Sequence, residues 1–243
     1  MLKSNRRRFI KNGIIFGLVG GYTQEKLTAS DSSNPPVQVT PSEVIPKIHP
    51  TPSEILGPFH PITPQKDKDF DLTRIDGNTG TAIGPAITVE GRIVDIHGQP
   101  LEDASVEIWQ ANAAGRYAHP HDPNPAPLDP NFQGWAIVLS GKDGSFHFKT
   151  VLPGSYPAGE NWIRPPHIHY KVSKLGYDEL ITQMYFPGQL LNNNDLLLQR
   201  KKPEEREFMI AQKVNVSEEL FRFQIVLENL HDNSPKDKDP NEG

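Results

Sequence analysis

Arg164-Pro165-Pro166-His167-Ile168-His169-Tyr170-Lys171-Val172 reads as a proline-stiffened entry into a β-strand. Successive strand residues point to opposite faces. His167 and His169 therefore share one face, and Ile168, Tyr170 and Val172 share the other. The apolar face predicts a strand packed on a core. The other face aims two imidazoles at one point, and neutral imidazole is the commonest metal ligand on a side chain. Tyr117 and Tyr156 would add two hard phenolate oxygens. A phenol ionises near pH ~10 in water, so it needs a strongly polarising cation to do so at neutral pH. The pattern suggests a Tyr2His2 ferric site and oxygen chemistry.

Outward from that strand, the same alternation recurs. Ile87, Val89, Gly91 and Ile93 follow it, as do Ala104, Val106 and Ile108, then Phe146 and Phe148, and finally Phe221, Phe223, Ile225 and Leu227. Ile96-His97-Gly98-Gln99-Pro100 and Lys142-Asp143-Gly144-Ser145 carry turn chemistry. The 24 prolines and 19 glycines favour turns over long helices. The expected fold is all-β: an antiparallel β-sandwich with long loops, one short helix at Pro203 to Gln212, and flexible N- and C-terminal tails. The loop Ala118 to Gly134 holds five prolines and is of a kind that shapes a site or an interface.

A chain of 243 residues suits one domain plus tails. We divide it into 1–30, a twin-arginine-type export signal; 31–50, a disordered linker; 51–230, the sandwich; and 231–243, a disordered tail. Asn5-Arg6-Arg7-Arg8-Phe9-Ile10-Lys11 resembles the export motif, and the apolar run Gly13 to Gly21 is too short for a membrane span. The expected location is outside the cytoplasm, in the periplasm, with no stable membrane span after export. The first 30 residues carry six Lys/Arg and one Glu, so their removal takes the net charge from −5 to −10. That charge argues against nucleic acid as a partner. The absence of cysteine excludes disulfides, zinc–thiolate sites and iron–sulfur clusters.

Five ordered segments carry a resemblance. Val106 to Tyr117 (VEIWQANAAGRY), Leu128 to Phe132 with Asp143 to Phe148, Pro153-Gly154-Ser155-Tyr156-Pro157, Arg164 to His169, and Thr182 to Phe186 resemble the motifs of the intradiol ring-cleavage dioxygenases. The similarity spans roughly residues 50 to 230 and is greatest to the β-subunit type of protocatechuate 3,4-dioxygenase. It implies non-haem Fe(III) held by Tyr117, Tyr156, His167 and His169. It also implies a catecholic substrate cleaved by O2 between its hydroxylated carbons to a cis,cis-muconate-type diacid. Arg164 and Gln183 would stabilise the charge that develops on the substrate, and Tyr156 would also accept a proton. The resemblance further implies assembly, as a homo-oligomer or with an α-type partner subunit. Two positions depart from the pattern. Ala158 stands where Trp often follows Tyr-Pro, and His60 stands where Tyr is frequent.

Other readings compete at single residues. His119-Pro120-His121-Asp122 could supply two imidazoles and a carboxylate, but no strand fixes its geometry, and a solvated loop is the simpler expectation. Arg164 could be a structural ion pair. Trp162 reads as a pocket wall, Trp109 and Trp135 read as core, and Tyr185 has an ordinary packing explanation. For the whole chain, the alternatives to a dioxygenase are an exported, non-catalytic β-sandwich binding module and a hydrolytic or storage site using another metal, of which zinc would be less suited to two phenolates.

Overall fold

The computed structural model describes residues 48–63, 67–215 and 219–230. The export signal and the C-terminal tail 231–243 lie outside these residues, as does most of the linker 31–50. At Ile48 the chain is already paired, with its N–H donating to Ile96 O at 2.7 Å.

The strands are β1 (Ala86–Asp95), β2 (Ser105–Trp109), β3 (Trp135–Leu139), β4 (Ser145–Val151), β5 (Tyr156–Gly159), β6 (Trp162–Arg164), β7 (His167–Ser173), β8 (Leu180–Tyr185), β9 (Gln212–Asn215) and β10 (Leu220–Leu227). Sheet A has the order β4-β1-β10-β9, and sheet B the order β3-β2-β7-β8. A third, two-stranded sheet pairs β5 with β6. Among the described residues every strand pair is antiparallel but one: β1 and β10 run parallel, from Thr88↔Leu220 to Asp95↔Leu227. Parallel neighbours cannot be joined by a hairpin, and here the whole of sheet B intervenes in sequence.

The core follows from strand parity. Ile87, Val89 and Ile93 of β1, Phe146 and Phe148 of β4, and Phe221, Phe223 and Ile225 of β10 face Val106 and Ile108 of β2, Ile168, Tyr170 and Val172 of β7, and Met184 of β8. Tyr170 is fully buried and reaches across the sandwich. Its ring lies 6.3 Å from Phe146, 6.3 Å from Phe148 and 5.4 Å from Phe223, centroid to centroid. Its hydroxyl points back to Met184 Sδ at 3.6 Å.

Among the described residues there are two short α-helices, α1 (Leu196–Gln199) and α2 (Pro203–Arg206). The single helix expected at Pro203 to Gln212 is shorter: it tightens into a 3-10 turn at Glu207–Met209, and Gln212 opens β9. Ile210 has already turned extended and bridges Tyr185 of sheet B. Pairing with the sheets thus overrides helical propensity there. No described helix is long and apolar enough to cross a membrane.

Truncating Tyr170 would leave a large void between the sheets. Tyr170→Ala is expected to cost about 3–5 kcal/mol, read as a lowered urea midpoint at unchanged slope.

Candidate metal centre

The outer face of sheet B is not solvent-exposed where β7 begins. His167 and His169 are both buried, under a second layer of side chains. Pairing places Trp109 opposite His169 and, on the other side, Gln183 opposite His169 and Tyr185 opposite His167. These five side chains share the face that the core does not use.

Two turns bring the tyrosines over this face. Asn112 Oδ1 accepts the N–H groups of Ala114 and Arg116, both at 2.9 Å, and folds the chain back at the end of β2. Gly115 completes the turn with φ +78°, and a Cβ there would lie 2.3 Å from Ser155 O. Gly154 is equally constrained: a Cβ would lie 2.4 Å from Gly115 N and 2.5 Å from Ala113 O. The two glycines let the turn before Tyr117 and the turn before Tyr156 interlock, and Gly154 N–H donates to Asn112 O at 2.9 Å. Asp122 then fixes Tyr117 by accepting its N–H at 2.7 Å.

The result is a convergence of four donor atoms. His167 Nε2 lies 3.2 Å from His169 Nε2, 3.4 Å from Tyr117 Oη and 3.5 Å from Tyr156 Oη, and His169 Nε2 lies 3.1 Å from Tyr117 Oη. His167 Nδ1 is 2.7 Å from Pro165 O, so Nδ1 carries the proton and Nε2 presents a lone pair. Ligands about 2 Å from a common cation and about 105–110° apart sit roughly 3.2–3.3 Å from each other. The observed separations therefore fit a shared metal ion. The donor set is two imidazoles and two phenols; among the described residues no group of three or more His, Cys, Asp or Glu side chains could do the same. Two hard oxygens and two imidazoles suit a trivalent transition metal better than a soft one.

Electrostatics keep all four groups uncharged in the metal-free protein. Burial raises the pKa of both phenols, for Tyr117 with added repulsion from Tyr156, while the Arg164 cation pulls the other way. Burial holds both imidazoles neutral, well below the usual histidine range, with Arg164 adding to the effect. Four lone-pair donors, none carrying positive charge, face one point.

Beside them is a second network. Arg164 is 4 % exposed, and its Nε donates to Asp195 Oδ2 at 2.8 Å. Its Nη2 donates to Gln183 Oε1 at 2.7 Å and to Tyr185 Oη at 2.9 Å. Burial alone would lower the Arg164 pKa, but Tyr185, Tyr156 and Asp195 outweigh it and raise it, so the guanidinium stays charged. Asp195 also caps α1, accepting from Leu197 N at 3.2 Å and Leu198 N at 2.9 Å. Gln183 Nε2 is buried and has no protein partner among the described residues. It is a donor held in reserve, because its Oε1 is already committed to Arg164.

Sequence reasoning brings Tyr117, Tyr156, His167, His169, Arg164 and Gln183 together, and the structure places all six in one cluster. It missed Asp195 and the role of Tyr185. Trp109 is core as expected, in a second buried cluster with Ala111, Tyr117 and Tyr156, where it stacks on His169 with ring centroids 4.9 Å apart and planes 12° apart. Trp135 lies half-buried at the rim, its indole N–H bonded to Glu107 Oε1 at 2.9 Å. Trp162 covers Arg164, 5.5 Å from ring centre to guanidinium carbon. The His119–Asp122 loop is a folding element. His119 is buried against Phe59, and Asp122 is spent on the N–H groups of Tyr117 and Asn124. A groove of about 620 Å³ on the outer face of sheet A, lined by Glu90, Arg92, His147 and Arg222 among others, lies across the sandwich from the donors.

The sequence of this chain matches the dioxygenase family profile (Dioxygenase_C) over residues 55–229. The chain belongs to the intradiol ring-cleaving dioxygenase family, of the catechol and protocatechuate type. It is 40% identical over 167 residues to the protocatechuate 3,4-dioxygenase beta chain of Burkholderia cepacia, covering 65% of this chain and 71% of that one. It is 35% identical over 120 residues to the catechol 1,2-dioxygenase of Candida albicans, covering 44% of this chain and only 38% of that enzyme. Among solved structures, the dioxygenase domain of a dioxygenase carbohydrate-binding protein fusion from Streptomyces sp. SirexAA-E superposes with a TM-score of 0.57 at 27% identity, covering 74% of this chain and 99% of that one.

Two outcomes follow from the site's charges. Asp195→Ala strands a buried guanidinium and is expected to lower stability by about 3–5 kcal/mol, measurable by urea unfolding. In the metal-free protein, folding excludes protons that the unfolded imidazoles take up near pH ~6.5. Stability is therefore full above that pH and falls as the pH drops below it. Urea midpoints across pH 4 to 8, compared with those of His167→Asn/His169→Asn, should show a shallower acid loss in the double variant.

Proposed function

We propose that this chain binds non-haem Fe(III) through Tyr117, Tyr156, His167 and His169 and cleaves a catecholic ring by the intradiol route, with O2 as co-substrate. The gathering of the other three donor atoms within 3.2–3.5 Å of His167 Nε2, with His169 Nε2 3.1 Å from Tyr117 Oη, carries the reading. Family membership supports it. When bound, ferric iron supplies a polarising centre that favours ionised phenol and catechol oxygens and draws electron density from the ring.

The chain's own residues account for the rest. Arg164 cannot move far, because Asp195 grips its Nε and Gln183 and Tyr185 grip its Nη2. A fixed, permanently charged guanidinium is already oriented toward negative charge that develops on the substrate. Gln183 Nε2 offers the second donor to that charge. Tyr156 Oη faces both His167 Nε2 and Arg164 and is the group we assign to accept a catechol proton. Phe59 packs against both tyrosine rings, 4.9 Å from Tyr117 and 6.2 Å from Tyr156. Both atoms of O2 enter the diacid product, so no external reductant is needed.

The B. cepacia relative is a beta chain by name. We propose accordingly that this protein assembles, with an α-type partner subunit or with copies of itself. Its basic, twin-arginine N-terminus supports export to the periplasm. Ala158, small and exposed on β5, favours a catechol bulkier on that side than the ring alone.

Oxygen uptake against a panel of catechols tests the activity, with a coloured ferric protein as the parallel readout. His167→Ala is expected to lose iron by more than the about 10–100-fold that removal of an outer partner costs. Tyr156→Phe should lose the visible band in part and slow turnover. Full colour and full oxygen uptake in both variants would sink the ligand assignment.

A further inference from the structure

His167 and His169 are held by different means. His167 has the hydrogen-bonded Nδ1 that metal-binding histidines almost always have. His169 Nδ1 is buried and has no hydrogen-bond partner among the described residues. Packing replaces it. Trp109, the cross-strand neighbour, lies flat against the ring at 4.9 Å and 12°. Gly57 sits at the ring edge, where a Cβ would lie 3.2 Å from His169 Cε1, and its φ of +80° is one that residues with a side chain rarely adopt.

Trp109 is itself locked. The His60 ring stands edge-on to it, with centroids 4.9 Å apart and planes at 88°. His60 Nε2 lies 3.1 Å from Glu107 Oε1, the oxygen that also accepts the Trp135 indole N–H. His60 is thus tied to β2 through Glu107.

We propose that Trp109 and Gly57 are positioning residues that orient His169 in place of the missing Nδ1 hydrogen bond, with His60 and Glu107 holding Trp109. The stack resists rotation of the imidazole about its Cβ–Cγ bond. It leaves the ring free to swing within its own plane, and the Gly57 segment lies on the Cε1 side toward which that swing would go. The two contacts together define the direction of Nε2, which is what a single hydrogen bond at Nδ1 does for His167. The inference rests on the metal reading above for its purpose, but not for its geometry.

The test uses the full chain and two readouts. Iron titration followed by the visible band should show Trp109→Leu binding about 10–100-fold more weakly than wild type, the usual cost of losing an orienting partner, and Gly57→Ala also weakened, because its Cβ would press on His169 Cε1 and tilt the ring. Trp109→Phe, which can still stack, should recover most of the loss. In the metal-free protein, 15N-histidine NMR should show one sharp ring signal for His169, broadened in Trp109→Leu and sharp again in Trp109→Phe. Unchanged iron affinity together with an unchanged His169 signal in Trp109→Leu would overturn the proposal. So would Trp109→Phe behaving as Leu does at equal thermal stability. If wild type takes up no iron yet the NMR pattern is as expected, the positioning stands and the ferric reading falls.

Discussion

Strand β7 is buried on both faces, and that constraint organises the molecule. One face gives Ile168, Tyr170 and Val172 to the space between the sheets; the other gives His167 and His169 to a second layer above sheet B. Because the side-chain period is two, a slip of one residue would push imidazoles into the apolar core and strip the donor cluster. Core packing and site geometry are therefore enforced by the same register, from His167↔Tyr185 to Val172↔Leu180 on one side and from Ser105↔Ser173 to Trp109↔His169 on the other. Tyr170, wedged among Phe146, Phe148 and Phe223, is the residue that makes a slip most costly.

The second layer has its own logic. Burying two phenols, two imidazoles and a guanidinium together is expensive unless each polar group is answered. Arg164 is answered by Asp195, Gln183 and Tyr185, so its charge is spread over a rigid frame anchored at the start of α1. The four donors are not answered to the same degree, since each faces other lone-pair carriers. The phenol hydroxyls and imidazole Nε2 atoms answer one another through bonds of 3.1–3.5 Å, at the long end of the range. The interlocked turns at Gly115 and Gly154 hold that cluster in place.

Much of this was legible in the sequence, for local reasons. The parity of residues 167–172 placed the histidines, and the tyrosine motifs placed their partners. The same parity could have found Trp109: with Val106 and Ile108 facing inward, Trp109 had to share the face of Glu107. Tyr185 follows from Gln183 by the same count. Asp195 carried the signal of a polar cap before an apolar run, Asp195-Leu196-Leu197-Leu198, but nothing in the sequence says that its carboxylate also reaches Arg164, 31 residues away. The parallel pairing of β1 with β10 and the passage of Gly57 over His169 are non-local contacts, set by the global packing of the sheets and not by any local pattern.

The parallel pair also dictates a timetable. β1 can take β4 as a neighbour early in synthesis, but its other edge waits for β10, the last strand described. Sheet B needs nothing beyond β8. The donor-bearing sheet can thus pair while sheet A still has an open edge. Completion of sheet A joins strands far apart in the chain, a non-local pairing of the kind that slows folding. Until it occurs, one side of β1 is an unpaired edge, and partly made chains are at their most adhesive.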